Sequence, residues 1–109
     1  MRKIHIHDIR VSETRLLPEL LGDAIITGGG VYVFKPGETA HPERHAHNVD
    51  EVFIFIQGKG VLPIDGVEYP LQTGDVVIVA AGEDHHTRSS LDDPLVAAWY
   101  LMDRAVIGA

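Results

Sequence analysis

The chain has 109 residues, is 45% hydrophobic and carries a formal net charge of −7 at pH 7, with no cysteine. This length and hydrophobic content fit one domain with a single core and argue against disorder. The negative charge disfavours nucleic acids and anionic membranes, which require a basic patch, and the lack of cysteine excludes disulfides and cysteine-ligated zinc sites.

The sequence pattern predicts neither a membrane span nor a secretion signal. No apolar run approaches the roughly 20 residues needed to cross a bilayer. The first three residues include two basic ones, but residues 4–8 are too short and too polar to be the apolar region of a signal peptide. We therefore expect a cytoplasmic protein with no membrane partner.

The N-terminal segment is predicted to hold one strand and one turn. Residues 4–9 alternate apolar and polar side chains for most of their length, which predicts a half-buried edge strand. Its polar face would carry His5 and His7, either as solvated side chains or as a local metal-binding pair. Residues 12–22 predict at most a short helical turn, because Pro18 and Gly22 break the pattern.

Two strands are predicted next, over residues 24–27 and 31–34, with a turn or bulge at the three glycines 28–30. A phosphate-binding role for these glycines is disfavoured, because no Gly-Lys-Ser/Thr follows and the next element is a strand. A turn at residues 35–37 and a polar loop over 38–44 then lead into a His-x-His pair.

The strand over residues 52–56 follows that pair, and Glu51 opens it. Phe53, Phe55 and Gln57 share the face of the carboxylate, and the opposite face is apolar too. One face can line a barrel, whereas the other requires a second sheet or a second subunit. This pattern favours a homodimer.

The second half of the chain contains a hairpin signal, Asp65-Gly66 between strands over residues 61–64 and 67–71. Pro63 and Pro70 indicate that neither strand is fully paired in a sheet centre. Further elements follow: a turn at 72–75, a buried strand over 76–79, a loop over 80–84, a possible strand start at 86–90 and a last strand over 95–102. Many short strands with little helix predict a small barrel or sandwich.

Imidazole and carboxylate groups at the head of the strand suggest a site for a divalent transition metal. His45 and His47 would share a face, roughly 6.6 Å apart on an extended strand. Glu51 would lie about 13 Å further on, so a shared ion requires the chain to bend near residues 48–50. A fourth ligand would come from His85 or His86, of which only one can face inward, and we prefer His85.

Together these residues resemble the two motifs of the cupin superfamily. In the first motif, His45-Ala46-His47, three residues, Glu51, six residues and Gly58 fit the family pattern. Gly37 departs from it, because seven residues separate it from His45 where the family has five.

The second motif is matched by Gly74, five residues, Ala80-Ala81-Gly82, two residues and His85. Ala80 stands where the family usually has proline, and Ser89 stands where the motif closes on asparagine. The resemblance covers about residues 31–102, and neither departure affects a ligand position.

The resemblance implies an all-β double-stranded β-helix, a cupin or jelly-roll barrel. It divides the single domain, residues 1–109, into an N-terminal strand and turn segment (1–30) and a barrel core (31–102). It also implies that one divalent transition metal (Fe, Mn, Ni, Co or Zn) is bound by His45, His47, Glu51 and His85.

The expected function is that of a metal-dependent enzyme acting on a small-molecule substrate. The first expectation is dioxygenation, which would make the protein an oxidoreductase. The alternatives are a non-redox isomerase or lyase acting on a sugar or uronate-like substrate, and a non-catalytic binding module. The sequence assigns no catalytic acid or base.

Several further residues have two interpretations each. The histidines could be ordinary hydrogen-bonded loop residues, although four ligands at motif spacing argue against that. His41 is expected to be solvated or to lie over the barrel mouth, and His86 to face away or to contact substrate. Trp99 and Tyr100 are expected to point to opposite faces. The inward one of the two would either pack in the core or line a pocket. Asp103 and Arg104 form an exposed end or an acid–base pair.

Overall fold

The computed structural model describes residues 1–8, 25–40 and 48–103. These residues form eight strands and one 3-10 turn (Ile6–Asp8). The strands are β1 (Arg2–His5), β2 (Ile25–Val33), β3 (Asp50–Gln57), β4 (Lys59–Ile64), β5 (Val67–Gln72), β6 (Asp75–Val79), β7 (Arg88–Ser89) and β8 (Val96–Asp103). The helical turn predicted over residues 12–22 lies outside the described residues.

The strands form two antiparallel sheets. The first has five strands in the order β1-β6-β3-β8-β2, and the second has three in the order β5-β4-β7. Neighbouring strands such as β3 and β6 are distant in sequence. The chain therefore passes from one sheet to the other between them and does not form a simple meander. This arrangement confirms the predicted all-β jelly-roll barrel.

The main core lies between the two sheets. Among the described residues it contains nine buried hydrophobic side chains, drawn from both sheets and from the loops: Phe34, Phe55, Leu62, Ile64, Leu71, Val77, Val79, Leu95 and Ala97. At about 25 cal/mol per Å² of apolar surface removed from water, burial of these side chains is the principal stabilising term. Phe53 and Tyr69 pack against the same cluster while staying partly exposed.

A second cluster covers the outer face of the five-stranded sheet. Val52 and Met102 are fully buried there, with Val76 and Ile78 beside them. Because these side chains are covered within a single chain, this part of the face does not need a second subunit. The side chain of Ile56, at the far end of the same strand as Val52, is 53% exposed.

The predicted Asp-Gly hairpin is confirmed. Asp65 has φ 47° and Gly66 has φ 84°, the two left-handed residues of a type I′ turn joining β4 to β5. The expectation for the two prolines is confirmed as well. Pro70 lies on the edge strand β5, and Pro63 lies beyond the part of β4 that pairs with β7, which covers only Gly60 and Val61.

The predicted N-terminal strand was wrong in its extent. The strand ends at His5, and the next three residues form the 3-10 turn. There the Ile6 N–H leaves the strand pairing and donates to the carbonyl of Gly74 (2.8 Å). His5 and His7 therefore do not share one strand face. Instead, His5 Nδ1 accepts from the His7 N–H (3.1 Å), and Nε2 lies 3.0 Å from the Thr73 carbonyl oxygen, to which it donates.

The two strands predicted around the three glycines are a single strand. β2 runs through the glycines, with a bulge between Ile26 and Gly28. Close packing explains the glycine in the middle: a Cβ at Gly29 would lie 2.6 Å from the Trp99 carbonyl oxygen of β8. A bulge is present, but it lies at Thr27, directly before the glycines, which pair regularly with β8. The turn alternative was wrong.

The one described helix, the three-residue turn after β1, is far too short to cross a membrane, and no other helix occurs in the described residues.

Candidate metal centre

Glu51 lies on β3, in the middle of the five-stranded sheet. Its neighbours in register are Val79 on β6 and Leu101 on β8. The residue is only 6% exposed, and its side chain points to the barrel interior, as do those of Phe53 and Phe55 on the same strand. A carboxylate placed in an apolar interior requires a polar or charged partner.

His85 is that partner. It follows β6 by six residues, and an isolated bridge to Ile64 holds its backbone against β4. The imidazole is buried, and its Nε2 lies 3.0 Å from Glu51 Oε1. Two residues 34 positions apart in sequence thus meet inside the barrel.

The second ring nitrogen of His85 also faces an oxygen. Nδ1 lies 3.0 Å from the carbonyl oxygen of Glu83, to which it donates its proton. With oxygen acceptors at both nitrogens, the imidazole of the metal-free chain is fully hydrogen-bonded only when both nitrogens carry protons. Burial alone would lower the pKa of His85, but its hydrogen bonds to Glu51 and Glu83 and the Glu51 charge raise it.

This arrangement fits a transition-metal ion. A ligating histidine needs its proton on the nitrogen away from the metal, held by a carbonyl or carboxylate, and Glu83 O holds Nδ1–H in that way. The 3.0 Å separation of His85 Nε2 and Glu51 Oε1 is that of a hydrogen bond in the metal-free chain, and a divalent ion could be held by the same two atoms in place of the shared proton.

His86 faces a different environment. Its Nε2 lies 3.0 Å from Asp84 Oδ1, and its backbone N–H donates to the Pro63 carbonyl. The structure therefore places His85, and not His86, beside Glu51, which was the preference drawn from strand alternation and motif spacing.

His45 and His47 lie outside the described residues, as do His41 and Arg104. The side chain of Asp103 is not described either. Asn48 and Val49 form a bend directly before β3 begins at Asp50, at the position where the predicted four-ligand site requires one. Within residues 1–8, 25–40 and 48–103, no three His, Cys, Asp or Glu side chains are grouped closely enough to hold a metal. Glu51 and His85 are the two predicted ligands that the structure brings together.

The loop that presents His85 is held by two acidic side chains. Glu83 accepts from the Ala80 N–H (2.7 Å) and pairs with the Met1 ammonium group (2.8 Å). Burial would raise the pKa of Glu83, but the hydrogen bonds from the Met1 ammonium and the Ala80 N–H lower it. Asp50 accepts from the Ala81 N–H (2.9 Å), which ties the same loop to β3.

These anchoring residues were not identified from the sequence. An acidic residue three positions after Ala80 is a recognisable turn-capping signal, so Glu83 could have been found. The bond from Asp50 joins segments 31 residues apart, and no local pattern predicts it. Phe53, whose ring lies edge-on to His85 at 5.9 Å, was seen only as a residue on the Glu51 face.

Comparison with known proteins identifies the class. A family model described as a cupin domain matches residues 30–101, well over half of the chain. The chain belongs to the cupin family, as its two motifs predicted.

Similarity to individual proteins is more distant. Dimethylsulfoniopropionate lyase DddW from Ruegeria pomeroyi is 29% identical over 58 residues, which make up 53% of this chain and 37% of that protein. The chain thus spans little more than a third of the length of this curated relative.

Two solved structures share the fold. The plu4264 protein from Photorhabdus luminescens is 27% identical, with a TM-score of 0.64 and coverage of 71% of this chain and 62% of that one. A cupin 2 conserved barrel domain protein from Salinispora arenicola is 24% identical, with a TM-score of 0.64 and coverage of 78% of both chains.

Proposed function

We propose that this cupin is a metal-dependent lyase that acts on a small organic acid, with one divalent transition metal held by His45, His47, Glu51 and His85. The observation that carries the proposal is the buried pair of Glu51 and His85, joined at 3.0 Å beside the hydrophobic core between the two sheets. A buried carboxylate and imidazole aligned in this way are costly unless they serve each other or a ligand.

Each residue of the pair has a definite task in this proposal. Glu51 supplies an anionic oxygen from the rigid centre of a sheet, and His85 supplies a neutral nitrogen from a loop tied down by Glu83 and Asp50. The ring of Phe53 packs against the imidazole in a T-shaped arrangement, with the ring centroids 5.9 Å apart. A bound divalent ion would act as a Lewis acid that polarises a carboxylate or carbonyl oxygen of the substrate.

Lyase chemistry is favoured over dioxygenation because of the curated relative. DddW is a dimethylsulfoniopropionate lyase, and the 58 residues it shares with this chain make up about half of the chain. Three imidazoles and one carboxylate suit both redox and non-redox ions, so the ligand set alone does not choose the reaction. The dioxygenase expected first from the sequence is therefore the competing candidate, and a binding module without turnover is the third.

The experiment that separates them is a turnover assay on the metal-loaded protein, run in air and without oxygen, with a panel of small carboxylic acids. A lyase forms an unsaturated product equally well under both conditions. Product that forms only in air, with matching oxygen uptake, would contradict the lyase proposal. Binding of every acid without product would contradict any enzymatic role.

Two variants tie the assay to the site. His85→Ala should abolish turnover, whereas His7→Ala should leave it unchanged, because His7 is exposed at the edge of the five-stranded sheet. Circular dichroism of both variants checks that the barrel is retained. Full turnover by folded His85→Ala would place the reaction elsewhere.

A further inference from the structure

Trp99 faces the barrel interior two residues along β8 from Leu101, the residue that pairs with Glu51. It pairs in register with Phe53 across β8 and β3, and directly paired residues of antiparallel strands point to the same face. Ala97, two residues earlier, belongs to the interior core, whereas Tyr100 packs against the outer cluster. The inward residue of the two aromatic neighbours is therefore Trp99.

The indole of Trp99 is not part of the core. It is only half-buried, and it does not pack against the interior cluster as Phe53 and Tyr69 do. Its Nε1–H has no hydrogen-bond acceptor among residues 1–8, 25–40 and 48–103. An inward indole that is partly exposed, and whose donor is not used by any described residue, is suited to contact a ligand.

One side of the indole is fixed by the neighbouring strand. Gly30 lies opposite Trp99 on β2, and a Cβ there would lie 3.5 Å from Nε1 and 3.6 Å from Cε2 and Cζ2. The glycine therefore leaves the indole directly against the β2 backbone. Phe53, the register partner of Trp99 on β3, lies edge-on to His85. Two inward aromatic side chains, Trp99 beside β2 and Phe53 beside His85, therefore lie on neighbouring strands of the same face.

We propose that Trp99 is a substrate-contacting residue that selects acids with a flat, unsaturated or aromatic body over acids with a puckered body. The carboxylate of such an acid would reach the Glu51–His85 end, and its flat body would lie on the indole. A flat ligand can make offset-stacked contact with an aromatic ring, whereas a puckered one touches it at few atoms. This inference rests on the proposed metal-binding function.

The test compares benzoate with cyclohexanecarboxylate, which share the carboxylate and the number of carbon atoms but differ in flatness. Binding is measured on protein loaded with Zn²⁺, by calorimetry and by fluorescence. Trp99 is the only tryptophan of the chain, so its emission reports on this position alone. We expect benzoate to bind about two- to tenfold more tightly and to change the emission.

Three variants assign that preference to the indole. Trp99→Leu should lose the preference for benzoate, and Trp99→Phe should keep most of it because a flat ring remains. Tyr100→Phe, the outward neighbour, should behave as the native chain. Thermal unfolding of each variant confirms that the barrel is intact, and a general loss of packing would weaken both ligands equally.

Equal binding of the two acids by the native chain would overturn the proposal, as would an unchanged preference in Trp99→Leu. Zinc content, measured on the same samples, separates this result from a failure of the proposed function. Zinc bound without a preference contradicts the role of Trp99 alone. Absence of zinc contradicts the metal site, and the role of Trp99 falls with it.

Discussion

The environment of His85 supports its proposed role as a metal ligand. A carbonyl oxygen accepts a hydrogen bond from Nδ1–H, and a carboxylate lies opposite Nε2. Both partners are held by backbone structure, Glu83 O by the anchored loop and Glu51 by a central strand. The imidazole therefore has little rotational freedom left to lose when it binds a ligand.

The first prediction concerns the stability of the metal-free chain. Glu51→Ala should lower its free energy of unfolding by about 1–3 kcal/mol, because a buried hydrogen-bond acceptor of His85 is removed. Urea denaturation in the presence of a chelator measures the change. Glu68→Ala, an exposed glutamate on β5, is the control and should alter stability by less than about 0.5 kcal/mol. Equal stability of Glu51→Ala and the native chain would show that the pair contributes nothing without metal.

Glu38 provides a prediction about pH. Its carboxylate accepts from the Lys35 N–H (2.8 Å) and from the Tyr32 hydroxyl, and these two bonds lower the pKa of Glu38 below its ordinary 4.5. Because the folded-state pKa is lowered, the stabilisation is present above pH 4.5 and is lost as the pH falls through the folded-state pKa.

Glu38→Gln should therefore lower the free energy of unfolding near neutral pH, and should lower it by less in acid. The difference from the native chain should stay below about 1 kcal/mol, since the group is close to solvent, and should shrink between about pH 6 and about pH 3. Chemical denaturation at a series of pH values measures it. A difference that grows in acid would contradict the assigned bonds.

At the scale of elements, the turns owe their shapes to motif glycines. Gly58, between β3 and β4, has φ 85°, and Gly82, in the loop before His85, has φ 86°. Both angles are costly for any other residue. The surroundings differ: a Cβ at Gly58 would overlap the Pro94 carbonyl, whereas a Cβ at Gly82 would meet nothing within 4 Å.

This contrast allows a matched comparison. Gly82→Ala should cost about 1–2 kcal/mol through backbone strain alone. Gly58→Ala bears the same strain and a backbone clash, and should cost at least about 2 kcal/mol more or prevent folding. Denaturation midpoints, or soluble yield where folding fails, measure the difference. Equal costs would mean that the loop at Pro94 moves freely away.

The same scale shows where sequence patterns succeed. The Asp-Gly hairpin and the buried strand β6 were predicted because turn chemistry and local hydrophobicity determine them. The continuity of β2 through three glycines was not, since it depends on tight packing against β8, which no local pattern encodes. The early end of β1 likewise follows from a bond to Gly74, 68 residues away from Ile6.

At the scale of the whole molecule, the two-sheet barrel is what brings the site together. Motif spacing predicted the pairing of Glu51 with His85, whereas the anchors Asp50 and Glu83 became evident only in three dimensions. The sequence left open which of Trp99 and Tyr100 faces inward. The register of β3 and β8 shows that it is Trp99.

The homodimer expected from the two apolar faces of β3 stays a prediction. The outer apolar face of β3, on which the expectation rests, has less uncovered surface than expected, because Val52 and Met102 are already buried within one chain. Exposed apolar residues remain on β2, with Val31 and Val33 more than 60% exposed. Sedimentation velocity at several protein concentrations should show a dimer, and a monomer at all of them would contradict the expectation.

The central claim is that Glu51 and His85 are ligands of a divalent metal ion. The direct measurement is metal content by elemental analysis after add-back of Zn²⁺, Fe²⁺ or Mn²⁺ to chelated protein and removal of the excess. Wild-type protein and Glu68→Gln should retain about one ion per chain of at least one metal, as expected for a single mononuclear site. Glu51→Ala and His85→Ala should retain almost none. Wild-type protein that retains no ion, or variants that retain as much as wild type, would contradict the account.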